Sequence, residues 1–308
     1  MRRLLPTALA LFVAAVSLHA QGAEALPFIR IDRNPVTSAF AGAGSASMAN
    51  VAWSAFSNAS VLPLYDGTLD AAVSFQRWAP ALSGGTLWNA GVAYKIAPRL
   101  GLSVGYSRLR GVEMEELDIY GQEAGRFRPS DQEFAFGLAF GLGEKWALGV
   151  NGKYALQRLS VSTRFSGFCG DVFALFQPLA DLRFTAGISS FGPKVKSQSG
   201  GSYSLPTSAK VAADWCLRFT DAFCMDILAD ADYFFIGEYG VSAGMELAWN
   251  RMAFLRAGYR YASPGCVIPG HVALGAGVRF SGFHVDVSWL TASPALGNTI
   301  SAGLGYAF

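Results

Sequence analysis

Thr299-Ile300-Ser301-Ala302-Gly303-Leu304-Gly305-Tyr306-Ala307-Phe308 closes the chain in strict alternation. Successive side chains of a strand point to opposite faces. Ile300, Ala302, Leu304, Tyr306 and Phe308 therefore share one face, and Thr299, Ser301, Gly303, Gly305 and Ala307 the other. One face suits lipid and the other is small and polar, which is how a wall strand of a transmembrane β-barrel reads. A half-buried strand of a soluble sheet has the same period, so the decision rests on the remainder of the chain.

Working outward from this strand, period-2 stretches recur back to Thr68, about fourteen segments of roughly ten residues each. They begin near Thr68, Thr86, Leu100, Asp131, Lys145, Gly167, Leu182, Leu205, Ala222, Gly240, Met252, Gly270, Gly282 and Thr299. Their joins alternate. Tight ones such as Pro98-Arg99, Gly143-Glu144, Thr220-Asp221, Asn250-Arg251 and Ser281-Gly282 follow even-numbered segments. Longer ones such as Val112–Ser130, Gly192–Ser204, Ser263–Pro269 and Ala292–Asn298 follow odd-numbered segments. Outer-membrane barrels have short periplasmic turns and longer external loops. A soluble sandwich or propeller has no reason to gather every long loop at one end. The expected fold is all-β, a transmembrane antiparallel β-barrel of about fourteen strands.

Composition agrees. The 308 residues are 52% hydrophobic and 15% charged, against about 25% charged in a typical soluble protein. Disorder is excluded by that apolar content, yet after the first twenty positions no run of roughly 18 apolar residues could form a spanning helix. Residues 1–22 read as a secretory signal, with Arg2 and Arg3 before an apolar stretch from Leu4 to Leu18 and small residues at Ala20 and Gly22. Removing Arg2 and Arg3 leaves 22 of the 24 basic residues against 22 acidic ones, so no positive excess remains for nucleic acid. Export as a barrel points to the outer membrane of a Gram-negative bacterium and to its lipid as the first partner.

The two faces of the segments carry different chemistry. Trp88, Trp146, Trp215, Trp249 and Trp289 fall on the apolar phase near segment ends, as expected of aromatic belts at the two membrane surfaces. On the opposite phase lie Lys210, Asp214, Arg218, Asp226, Asp230, Asp232, Glu246, Arg256, Arg260, Arg279, His284 and Asp286. A lipid-facing Arg or Lys at the midplane costs on the order of 2–4 kcal/mol. These residues are therefore expected to form a paired charge network on the lumen wall. Many glycines share that phase, Gly101, Gly105, Gly149, Gly244, Gly258 and Gly275 among them. Either an internal object approaches the wall closely there or the strands need curvature.

Residues 23–67 are the expected object, a lumen plug preceding the barrel of residues 68–308. The stretch is rich in Ala, Ser and Gly, with Phe40, Gly42, Gly44, Met48, Trp53 and Asn58 as its notable positions. Gly42-Ala43-Gly44 is no dinucleotide fingerprint, since neither a strand–helix context nor a third glycine accompanies it. No other cofactor motif is present.

Four cysteines stand at 169, 216, 224 and 266. With Thr220 as the centre of a symmetric hairpin, Cys216 and Cys224 would face each other, which makes them a candidate disulfide. Cys169 and Cys266, both beside long loops, are the alternative pair. No CxxC occurs and zinc is not expected. His284, Asp286 and Ser288 share one face and have the ingredients of a hydrolase triad. Residues two apart on a strand stand roughly 6.6–7 Å apart along the chain, which argues against such a relay. The acids Glu113, Glu115, Glu116 and Asp118 read as solvated loop residues rather than a calcium site.

Leu26-Pro27-Phe28-Ile29-Arg30-Ile31, then Phe40-Ala41-Gly42-Ala43-Gly44, then Asn58-Ala59-Ser60 resemble the N-terminal region of the PorV/PorQ family, which belongs with the FadL-like outer-membrane proteins. Leu205-Pro206-Thr207-Ser208-Ala209-Lys210 resembles a strand start of that family, and the C-terminal Tyr-Ala-Phe is similar to the last strand of bacterial outer-membrane barrels. The resemblance implies a fourteen-stranded barrel with its N-terminal segment in the lumen. It implies one of two roles: an accessory or docking barrel in protein secretion of the type IX kind, with secretion components or exported cargo as partners, or a channel for hydrophobic small molecules. The first is the reading favoured here and the second its alternative. Phe165, Phe168, Phe173 and Phe176, with Phe40 and Trp53, are the aromatics available to an apolar pocket, and Glu113–Arg128 the loop available to a partner.

Overall fold

Fourteen strands, each antiparallel to its neighbours, close on themselves. The structure is a computed structural model and describes residues 24–49, 51–81, 84–117, 123–160, 163–196 and 201–308. The expected signal at 1–22 and Asp118 lie outside these residues. The wall strands are β1 (Leu69–Trp78), β2 (Gly85–Ala97), β3 (Leu100–Gly111), β4 (Ser130–Gly141), β5 (Trp146–Arg158), β6 (Arg164–Leu179) and β7 (Leu182–Phe191). They continue as β8 (Ser208–Arg218), β9 (Phe223–Phe234), β10 (Tyr239–Trp249), β11 (Ala253–Ala262), β12 (His271–Phe280), β13 (Phe283–Thr291) and β14 (Thr299–Ala307). Closure is made by β1 on β14, from Asp70 opposite Ala307 to Arg77 opposite Ile300. Each strand begins within three residues of its expected start.

The period-2 pattern becomes burial directly. Along β10 every second residue is buried and every other one exposed. Trp88, Trp146, Trp215, Trp249 and Trp289 all stand exposed on the outer face, with Phe308 at the end of the chain. Water does not tolerate an apolar belt of this extent on a monomer; lipid does. No helix among the described residues is long and apolar enough to cross a membrane.

At one end the joins are short, two to four residues, and at the other they run from four to eighteen. Ser281 and Gly282 both hold positive φ, 51° and 85°, as a two-residue hairpin of the I′ type requires. Two of the long joins carry small antiparallel ribbons of their own, at 114–117 with 123–127 and at 195–196 with 202–203.

Residues 24–49 and 51–66 pack against the inward face of this wall. Asn34 caps the helix α1 (Pro35–Ala39), its Oδ1 accepting from the Val36 N–H at 2.9 Å. Proline at the first helical turn costs no hydrogen bond. Short 3-10 turns stand at Pro27–Arg30, Val51–Trp53 and Ala59–Leu64. The path runs between the two ends. Leu26 clusters with Val195 and Leu205 of the long join after β7, while the Tyr65 carbonyl takes a 2.6 Å bond from the Lys95 ammonium near the short-turn end.

Inward glycines sit where this segment comes closest. A Cβ on Gly258 would overlap the Phe40 backbone, one on Gly149 the Ser60 backbone, and one on Gly91 the Ala52 carbonyl. Not all inward glycines serve the segment. Gly277 leaves room for the Arg256 guanidinium and Gly305 for the His284 ring.

Candidate functional site

Between the N-terminal segment and the wall, in the long-loop half of the barrel, lies a cavity of about 180 Å³. The segment contributes Arg30, Asp32, Thr37, Ser45, Trp53 and Phe56. The wall contributes Trp78, Phe173, Lys210, Phe234, Arg260 and Leu290. Alternation places these wall side chains, because each occupies the inward phase of its strand. Aromatic rings and charged groups thus share one small space.

The charges around the cavity are paired in sequence-distant couples. Arg260 donates to Asp232 at 3.1 Å and to Ser242 Oγ at 3.0 Å. The Lys210 ammonium stands 3.0 Å from Asp232 and 4.0 Å from Asp230. Asp230 in turn accepts from the Gly44 and Ser45 backbone N–H groups at 2.8 and 3.1 Å, and Ser242 donates to the Ala41 carbonyl. At the rim, Arg30 bonds Glu24 at 2.5 Å and Glu238 at 2.7 Å and lies 3.7 Å over the Phe234 ring. Arg33 is buried and donates to the carbonyls of Phe28, Ile29 and Ile31 and to Glu133. Buried pairs of this kind are sensitive: removing one partner leaves an uncompensated charge and costs about 3–5 kcal/mol.

Asp32 is the exception. It accepts from Thr37 Oγ1 at 2.5 Å and from its own turn at Asn34 N, 3.0 Å, and no cation forms an ion pair with it among the described residues. Burial raises its carboxyl above the ordinary carboxylate range, more than those two bonds and the fields of Lys210 and Arg33 lower it.

Below the cavity a second network crosses the wall. Arg256 bridges Glu246 at 2.5 Å and Asp286 at 2.6 Å. His284 places Nδ1 3.3 Å from Asp286 and Nε2 3.2 Å from Asp70, and Asp70 accepts from the Ala52 N–H at 3.1 Å. The strand-spacing argument against a His284–Asp286 contact is corrected here, since the two side chains lean toward each other and close the gap. With a carboxylate at each ring nitrogen, His284 has no nitrogen left for Ser288, so the three do not make a nucleophile–base pair. No cluster of three or more His, Cys, Asp or Glu among the described residues is placed to hold a metal ion.

The expected plug positions all meet something specific. Phe40 packs on Gly244 and Gly258, and Gly42 faces Arg260 with φ 87°. Gly44 binds Asp230, Met48 packs on the Val51–Leu62 cluster, and Trp53 lies on Gly91. Asn58 donates to the Ser45 carbonyl at 2.8 Å.

Among the expected network residues, Lys210, Asp230, Asp232, Glu246, Arg256, Arg260 and Asp286 come together as described, and Asp214 takes Arg183 at 2.8 Å. Arg279 lies over the Phe254 ring and forms no ion pair among the described residues. Arg218 is corrected: it is on the inward phase but at the short-turn rim, exposed, and bonds Asp181 at 2.7 Å. It therefore does not offset Asp226, which stands opposite Cys216 and Glu246.

The disulfide expectation is corrected as well. The hairpin turns about Asp221, which puts Cys216 opposite Asp226 and Cys224 opposite Arg218. All four cysteines are free thiols, Cys169 buried in the long-loop cluster and Cys266 within 3.5 Å of Ser263 Oγ. Of the four phenylalanines on β6, only Phe173 lines the cavity. Phe165 packs on Tyr203 under the long join. Phe168 and Phe176 have even numbers on a strand whose odd residues point inward, and they face outward. Sequence reasoning missed Arg33, Glu133, Lys153 and Asp171, although the same parity on β4, β5 and β6 marks the three wall residues as inward. Lys153 pairs with Asp171 at 2.7 Å and also holds the Phe56 carbonyl at 2.7 Å.

No protein-family model and no curated protein sequence matches the chain. Solved structures do. The CymD monoaromatic hydrocarbon channel aligns with a TM-score of 0.64 at 13% identity, over 89% of this chain and 97% of that one. The Pseudomonas putida toluene transporter TodX aligns at 0.62 and 12%, and the Ralstonia pickettii toluene transporter TbuX at 0.60 and 12%, each over the same shares. A Pseudomonas aeruginosa FadL homologue aligns at 0.52 and 12%, over 89% of this chain and 95% of that one. The chain has the FadL-like fold of Gram-negative outer-membrane β-barrels.

Proposed function

We propose that the protein is an outer-membrane channel for small hydrophobic molecules, with residues 24–66 as a plug that closes the bore below the site. The observation that carries this reading is the cavity. It is concave, walled by Trp78, Phe56, Phe173, Phe234 and Leu290, and seated between the N-terminal segment and the strands at the long-loop end. Small-molecule sites are of this kind, mostly apolar with a few placed polar groups, and they occur in the mouths of barrels. The fold shared with hydrocarbon channels supports it.

The accessory-barrel role in secretion rests on short sequence motifs, those of the N-terminal segment and Leu205–Lys210, and has no counterpart in the cavity. Uptake by proteoliposomes separates the two. Vesicles carrying the barrel should take up a monoaromatic compound several-fold faster than empty vesicles. Uptake equal to that of empty vesicles, together with recovery of exported proteins on affinity-purified barrel, would replace the channel reading with the accessory one.

A further inference from the structure

We propose that the cavity selects a small aromatic molecule bearing a hydroxyl group, of the phenol class, over a bare hydrocarbon; this rests on the channel reading and names its substrate. Size is the first constraint. A cavity of about 180 Å³ is close to the roughly 150 Å³ that admits benzene and well below the roughly 300–1,000 Å³ of sites for larger ligands. One ring with a small substituent fills it.

The second constraint is hydrogen-bonding capacity. An ionised carboxylate offers about four lone-pair sites and an ammonium three donors. Asp32 uses its oxygens on Thr37 and Asn34 only, and it is half-buried rather than sealed. Lys210 stays 22% accessible and makes one close contact, to Asp232. Both line the same cavity, near enough for Lys210 to act on the Asp32 charge, yet they form no ion pair. The site therefore presents spare acceptor capacity on the segment and spare donor capacity on β8.

Four ligand chemistries can be set against this pair. A hydrocarbon displaces water from Asp32 and Lys210 and returns nothing. A carboxylate answers Lys210 but offers the Asp32 oxygens no donor, and an ammonium donates to Asp32 but meets the Lys210 charge. A hydroxyl donates to Asp32 and accepts from Lys210, while its ring takes the faces of Trp78, Phe173 and Phe234. Stranding buried polar groups is what makes a polar site reject the analogue that lacks the polar atom.

The test is equilibrium dialysis of radiolabelled phenol and toluene against the barrel in lipid nanodiscs, with protein-free nanodiscs correcting for partition into lipid. The expected result is phenol binding about ten-fold tighter than toluene, with the ratio falling to within about three-fold in Asp32→Asn and in Lys210→Met, each checked for folding by its heat-modifiable gel band. The two variants are independent, so either one that folds suffices. Toluene bound as tightly as phenol, or a preference unmoved by the substitutions, would overturn the inference while leaving the channel reading intact. Binding of neither compound above the protein-free control would overturn the channel reading itself.

Discussion

Asp32 shows what a single residue does in an interior this dense with charge. Asp232, the other acid that lines the cavity, has Lys210 and Arg260; Asp32 has two hydrogen bonds and a raised carboxyl, burial being the larger cause. A carboxyl whose native value lies above its unfolded one binds protons more readily in the folded state. Its contribution to stability is therefore present below the ordinary value of 3.8 and is lost as pH rises through the raised one. Asp32→Asn keeps one acceptor oxygen for the Asn34 N–H, turns the other position into an amide N–H that donates to Thr37 Oγ1, and removes the charge. It should stabilise the barrel at pH 7 relative to wild type, and the gain should shrink toward pH 3, measured by urea unfolding in vesicles at both pH values. A variant less stable than wild type at pH 7 would show that the charge is held by a partner after all. The functional position of Asp32 was not legible in the sequence. Thr37 lies five residues on and meets it through the local turn, but Lys210 comes near only when the segment meets β8.

At the scale of the element, parity was legible and turn register was not. Alternation alone fixes which face a residue takes, so the outward tryptophans and the inward Asp230, Glu246, Arg256 and Arg260 could be read directly from period. Register depends on where the hairpin turns, and one residue matters. Centring the β8–β9 hairpin on Thr220 opposes Cys216 to Cys224. Centring it on Asp221, as the Phe219 and Thr220 N–H bonds to the Phe223 carbonyl do, opposes Cys216 to Asp226 and Cys224 to Arg218. Diagonal neighbours stand wider apart than the roughly 3.5–4.5 Å between Cβ atoms that a disulfide needs. Cys216 and Cys224 should both be alkylated by a maleimide in denaturant without reductant, read by peptide mass. A 216–224 cross-linked peptide would mean that the hairpin slips to the symmetric register. The phase of β6 carries the same lesson, since only parity tells that Phe173 turns inward and Phe168 outward.

The whole molecule is a wall and an insert that were shaped for each other. Fold class, strand number and the sidedness of the loops followed from the sequence because they are repeated fourteen times and need no knowledge of contacts. The fit of the insert did not, because it is made of pairs far apart in the chain: Arg33 with Glu133, Ala52 with Asp70, Gly44 with Asp230, Lys153 with the Phe56 carbonyl. Inward glycines were visible, but which of them yields to Phe40 or Ser60 and which to Arg256 or His284 is settled only in three dimensions. These contacts decide what removal of the insert should do. Deleting residues 33–60 strips partners from Glu133, Asp70, Asp230 and Lys153. It does not touch the backbone ladder, in which every strand keeps both neighbours and no edge is exposed. The barrel should therefore still assemble and show a heat-modifiable band, though with lower unfolding resistance, because buried polar groups lose bonds worth about 0.5–1.5 kcal/mol each. The vacated bore, lined by the freed charges, should fill with water and conduct. Single-channel conductance in planar bilayers should rise at least several-fold over the intact protein and fall with the salt concentration of the bath. A folded deletion variant with unchanged conductance would show that the bore is closed by the long joins instead, and the plug role of the segment would fail.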